Sequence, residues 1–189
     1  MTDSTLNQSS KRKLLKLMLL LPWSAGCSET AQADTADPQQ RFKGIGLVLV
    51  VDAVSGAEMR GVAIYDDRGV EIYGSAGVAR RKRGIMALSS GRVPLTVRAI
   101  WRDNPKAIWG KNGGIDFDGV IVGDHTIPVA ERIPDEVLND IRAHRGNLRL
   151  KFRLKPDGVL FGWDIERAAP LGDVSIFEMP GGDFLETRY

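Results

Sequence analysis

The residues able to do chemistry are few, and the first is Cys27, the only cysteine in 189 residues. It follows Ser24, Ala25 and Gly26, behind the apolar run Leu17–Trp23 and the cations Lys11, Arg12, Lys13 and Lys16. A cationic start, a short apolar core and small residues before a cut make a secretory leader. The order small-small-Cys adds acylation of the Cys27 thiol as the first residue of the mature chain. The apolar run is too short for a permanent membrane helix, which needs roughly 20 residues. Cuts by an ordinary signal peptidase after Gly26 or Ala33 compete with the lipid-directed one. A lone free thiol in an oxidising compartment is open to oxidation or intermolecular pairing. Acylation removes that exposure, and two or more chains anchor stably at about 0.8 kcal/mol per buried methylene. The expectation is a leader over 1–26 and a lipid on Cys27, with the body facing the periplasm. Ser28, where inner-membrane retention would use Asp, favours the outer membrane.

The remaining candidates do not assemble into a catalytic set. His125 and His144 are the only histidines, and their spacing is not that of metal ligands. Ser89 or Ser90 with His125 and Asp124 would supply a nucleophile, a base and an orienting carboxylate. No nucleophile-elbow motif surrounds either serine, however. Gly44-Ile45-Gly46 has neither the third glycine nor the Lys-Ser/Thr of a phosphate loop. Asp116 and Asp118 lack the further ligands and terminal Glu of a calcium loop. Asp66 and Asp67 read as turn residues. These readings imply a protein that is not an enzyme, needs no metal or cofactor, and works by binding.

Residues suited to contact are easier to find. Arg80, Arg81, Lys82 and Arg83 are the densest charge of the mature chain, suited to an acidic partner or anionic headgroups, or to a solvated loop tip. Trp101 closes the apolar run Arg92–Trp101. Trp109 and Lys111 lie in Arg102–Gly119, which reads as a long Gly/Asn/Asp-rich loop of the kind that often carries function. A Trp beside a cation is a common interface anchor, unless it tucks back over the core. The 26 Lys+Arg against 24 Asp+Glu do not imply nucleic acid. Removing Lys11, Arg12, Lys13, Lys16 and Asp3 with the leader leaves 22 against 23, so the basic balance belongs to the leader.

The elements that must position these residues are mostly strands. Residues 27–41 are polar, and Ser28–Gln40 read as a flexible tether spanning roughly 20 Å. Residues 42–189, about 150 in all, suit a single domain. Gly44–Val54 reads as a strand buried on both faces, and Val62–Tyr65 with Val70–Tyr73 as a hairpin. Pro94 favours an edge position for Arg92–Trp101, and Val120–Val129 is a further strand. Pro134–Arg145 is the one clear helix, with Asp135 and Glu136 at its positive end and Val137, Leu138 and Ile141 on one face. In LRLKFRLKPDGVLFGWDIER (148–167) the alternation predicts a hairpin with one core face and one wet cationic face. An even turn pairs Leu154 with Val159, Leu150 with Trp163 and Arg149 with Asp164. A three-residue turn would set cations beside Phe161 and Trp163. Ala168–Tyr189 reads as a loosely held end with a short strand over Val174–Met179. The fold class is mainly β: an antiparallel β-sandwich or partly open barrel with one short amphipathic helix.

The run GDHTIPVAERIPDEV (123–137), the strand VPLTVRAIW and the GWDIER end of the hairpin resemble a group of small proteobacterial envelope lipoproteins. Their genes often stand beside type VI secretion lipase effectors. The resemblance covers Arg92–Arg167 at the level of motifs and the rest in layout. It implies an immunity role, in which a lipoprotein binds a toxic lipase and blocks its active site or membrane access. No catalytic residue carries over. A structural or assembly lipoprotein, or a carrier of lipid or another small molecule, are the competing expectations.

Overall fold

The computed structural model describes residues 37–80, 84–88, 91–110, 115–169 and 175–187. Cys27, Ser89, Ser90 and the leader lie outside these residues. Among the described residues, nine strands and one α-helix follow in order: β1 (Gly46–Ala53), β2 (Glu58–Asp66), β3 (Glu71–Ala79), β4 (Gly84–Ala87), β5 (Thr96–Trp109), β6 (Ile115–Pro128), α1 (Asp135–His144), β7 (Asn147–Lys155), β8 (Gly158–Ala168) and β9 (Ser175–Gly182). They form two sheets, β4-β1-β7-β8-β9 and β3-β2-β5-β6, that do not close into a barrel. The result is a β-sandwich with one short helix, in which β1 and β7 run parallel and the other pairs are antiparallel.

The core lies between the sheets because alternate side chains of each strand point inward. Leu49, Val51, Leu150, Phe152, Phe161 and Ile165 from the first sheet are all at most 1% exposed, as are Val62, Ile64, Val97 and Ala99 from the second. Burying one such side chain contributes about 1.5–3 kcal/mol. The helix adds Val137, Leu138 and Ile141 to this cluster, so its amphipathic face is the one expected. Pro134 sits one position earlier than expected, as the N-cap. The β7–β8 hairpin has the even register, with Leu154 opposite Val159, Leu150 opposite Trp163 and Arg149 opposite Asp164.

Two boundaries move. Gln40–Phe42 form a 3-10 turn, Phe42 is buried, and the Gln39 side-chain amide donates to the Val93 carbonyl at 2.9 Å. The body therefore includes residues 37–41, which composition had assigned to the tether. Pro94 lies before β5, and β5 is an inner strand rather than an edge. Proline is excluded from inner ladders, so the strand begins after it.

The turn between β2 and β3 uses both aspartates as turn residues. Asp66 accepts the Arg68 and Val70 amides, each at 2.9 Å. Asp67 takes both terminal nitrogens of Arg92, at 2.8 and 2.6 Å, and the Leu95 amide at 2.8 Å. The Arg92 hydrogen bonds, helped by the Leu95 amide and opposed by partial burial, hold the Asp67 carboxyl down from 3.8 to about 2. A folded pKa below the unfolded one gives stability that is complete above about pH 4 and lost as pH falls towards 2. Asp67→Asn should therefore flatten that part of the acid-denaturation curve, as read by urea melts at stepped pH.

The wet cationic face expected of β7 is not wet. Arg149, Lys151 and Arg153 are 3, 0 and 5% exposed. Arg149 donates to both Asp164 oxygens at 2.6 and 2.8 Å, and Lys151 lies 3.0 Å from the same carboxylate. Arg153 grips Asp52 of β1 at 2.9 and 3.0 Å, and Arg80 reaches the same carboxylate at 2.6 Å. The cover is the C-terminal segment, which was expected to be loose. Phe184 lies over Lys151 and Arg153, at 5.1 and 4.1 Å from ring to charge, and Phe177 lies 3.8 Å from Arg149. The Glu186 and Thr187 carbonyls accept from Lys151 and Arg149. Burial pushes the Lys151 ammonium below its usual pKa, with Asp164 pulling the other way.

Candidate functional site

β5 and β6 are the longest strands, 14 residues each. The first half of β5 and the second half of β6 complete the sandwich, and the distal part, the end of β5 with the start of β6, forms an arm. Residues 102–110 and 115–119, expected as a loop, are largely strand. The Gly, Asn and Asp content that suggests a loop instead serves a bend. Trp101 pairs with Gly123 and Arg102 with Ile121, so Val122 is an extra residue on β6. Further out, Asp103 pairs with Val120 and Lys106 with Asp118, which leaves Asn104 and Pro105 facing Gly119. Such bulges bend and twist a strand pair without ending it. Gly119 has φ +120°, and a Cβ there would lie 2.9 Å from the Asp103 carbonyl, so only glycine fits.

The bend turns the arm back over the outer face of its own sheet. At Gly61 a Cβ would come within 2.7 Å of Pro105 and 3.3 Å of Phe117, so the arm packs directly on β2. A cavity of about 280 Å³ lies there, between Ala63, Tyr65 and Glu71 of the sheet and Ile108, Ile115 and Phe117 of the arm. Burial raises the Glu71 carboxyl above its usual pKa, and the nearby Asp116 charge adds to this, against Arg102. On the other side of the bend a groove of about 560 Å³ runs past Met59, Trp101, Val122 and Pro156, with Arg60 and Arg102 at its margin.

The arm leaves large apolar side chains in water. Trp109 is 83% exposed and pairs across the strands with Ile115, 61% exposed. Val120, Ile121 and Val122 are 72, 45 and 56% exposed in succession; Val120 and Ile121 point to opposite faces of the strand, and Val122 is the extra residue of the bulge. Exposed apolar residues clustered on one element mark interaction surfaces. Ion pairing here is superficial: Arg98 and Asp124 meet at 2.6 and 2.8 Å in water, and the Arg98 hydrogen bonds lower the Asp124 carboxyl.

Of the residues singled out in the sequence, Trp109 stands on this surface. Trp101 is 4% exposed, lies over Gly123 and stacks on His125 at 5.2 Å, so it is the tucked-back alternative and its indole belongs to the core. Arg80 is committed to Asp52 in the charged layer and is not brought to Trp109. Arg81, Lys82, Arg83 and Lys111 lie outside the described residues. The residues missed were Val120–Val122. Three β-branched residues in a row between Gly119 and Gly123 cannot alternate, and that was the available signal of a bulge.

Among the described residues no group of three or more His, Cys, Asp or Glu could hold a metal ion, and no helix is long and apolar enough to cross a membrane. No family model, no curated protein and no solved structure matches the chain.

Proposed function

We propose that the chain is a lipid-anchored, periplasm-facing binding protein whose partner is a secreted effector of the lipase class, against which it acts as an immunity protein. The observation that carries a binding role is the arm, with Trp109, Ile115 and Val120–Val122 exposed on a bent strand pair held by the sandwich. Inhibition by contact needs no reaction, only an interface of about 1,600 Å² anchored by a few aromatic or arginine side chains. An arm of paired strands suits this, because its backbone is already ordered by the ladder before docking. The lipid on Cys27 would hold that surface at the membrane where a lipase acts. The effector class comes from the motif resemblance of Arg92–Arg167.

Two experiments test the reading. Cells expressing a periplasm-directed lipase effector encoded beside this chain should survive when the chain is co-expressed, and death at the same rate removes the immunity role. Cys27→Ser should move the protein from the membrane to the soluble fraction. An unchanged distribution removes the lipid anchor.

A further inference from the structure

We propose that the outer edge of β6, over Ile115–Val122, is a docking edge for an extended segment of a partner protein that is apolar in its middle and carries lysine or arginine at the end that meets Asp116 and Asp118. This deepens the binding reading above and rests on it. β6 is the last strand of its sheet, and among the described residues no strand pairs with its outer edge. A free edge offers unpaired N–H and C=O groups, and soluble proteins blunt such edges with lysine, with proline or by keeping them short. Of the devices that blunt an edge, β6 keeps aspartates and bulges and lacks the rest. It is 14 residues long, has no Lys or Arg, and has no Pro before Pro128 at its end. Its centre is Val120-Ile121-Val122, all exposed and all of the β-branched type that favours extended pairing.

The charges on the strand choose the occupant. Asp116 and Asp118 precede the apolar centre and Asp124 follows it. Asp124 is already paired with Arg98, so the charge that a partner has to answer lies on the Asp116 and Asp118 side of the centre. A segment with a cation opposite Asp118 would place opposite charges there, whereas a further acidic segment would set like charges across the pair. The two bulges bend the edge, which suits a short segment and opposes the long flat stacking that leads to aggregation. In strand addition the main-chain bonds supply affinity and the alternate side chains supply specificity.

The test uses two synthetic peptides with the same Val-Ile-Val-Ile centre, one flanked by lysines and the other by glutamates, added to the full chain. The lysine peptide should bind at least tenfold more tightly at low salt, with the preference shrinking at high salt. It should also slow amide hydrogen exchange within 115–122. Asp118→Lys should shift the preference towards the glutamate peptide, a gain that misfolding cannot imitate, and Ile121→Lys should weaken both. Equal binding of the two peptides, no binding, protection on another strand, or an unchanged preference in Asp118→Lys would each overturn the proposal. The outcomes separate from the immunity reading. Failure to rescue cells while the peptide preference holds removes the effector and leaves the edge. Rescue by the wild-type chain without any peptide preference removes the edge alone.

Discussion

Asp164→Ala should cost about 3–5 kcal/mol, because it strands two cations in the interior. Asp164 is 0% exposed and accepts from Arg149 at 2.6 and 2.8 Å, with Lys151 at 3.0 Å. After its removal the hydrogen-bond acceptors left to those cations among the described residues are the Thr187 and Glu186 carbonyls, beside the faces of Phe177 and Phe184. Neutral oxygens do not offset the desolvation of a buried charge. Asp164→Asn, which keeps an acceptor and loses the charge, should fall between the variant and the wild type. Urea denaturation at neutral pH measures both. A loss under about 1 kcal/mol for Asp164→Ala, in the range of exposed pairs, would mean that this face is hydrated.

Phe184→Ala should cost about 3–5 kcal/mol, the range of a buried Phe. Its ring is 8% exposed and covers Lys151 and Arg153. The next anchors are on Asp183, which accepts the Phe161 amide at 2.8 Å and pairs with Arg132 at 2.6 Å. Without the ring, water reaches the Lys151 ammonium and the C-terminal segment loses a large packed side chain. The melting temperature should drop by on the order of 10 °C for a domain of this size. Exchange of the Phe161 amide should stay slow if Asp183 holds, which separates local loosening from global unfolding.

These two expectations concern the part of the fold that was hardest to read. The β7–β8 register was legible because Leu148, Leu150, Phe152 and Leu154 can face the core in one register only. The helix was legible because Val137, Leu138 and Ile141 recur at helical spacing between an acidic start and Gly146. The fate of Arg149, Lys151 and Arg153 was not legible. Arg149 opposite Asp164 followed from the register, but the other partners are Asp52, about a hundred residues from Arg153, and the carbonyls of a segment whose own sequence has no clear period. Alternation says that two faces differ; it does not say that something polar will cover the second. The arm was hidden for a similar reason. Asp103-Asn104-Pro105 and Gly119 have loop composition, yet they serve a bend between paired strands. Trp101 and Trp109 were indistinguishable by type, and only strand pairing separates one over Gly123 from one left in water.

The most direct measurement is inhibition with purified components. The full chain is titrated into the proposed partner, a purified secreted effector of the lipase class, while hydrolysis of phospholipid vesicles is followed. The account predicts that hydrolysis stops near one equivalent, and that a folded Trp109→Ala, Ile121→Lys double variant needs a large excess. Hydrolysis that continues unchanged under excess wild-type protein, or a double variant that inhibits as well as the wild type, would contradict it.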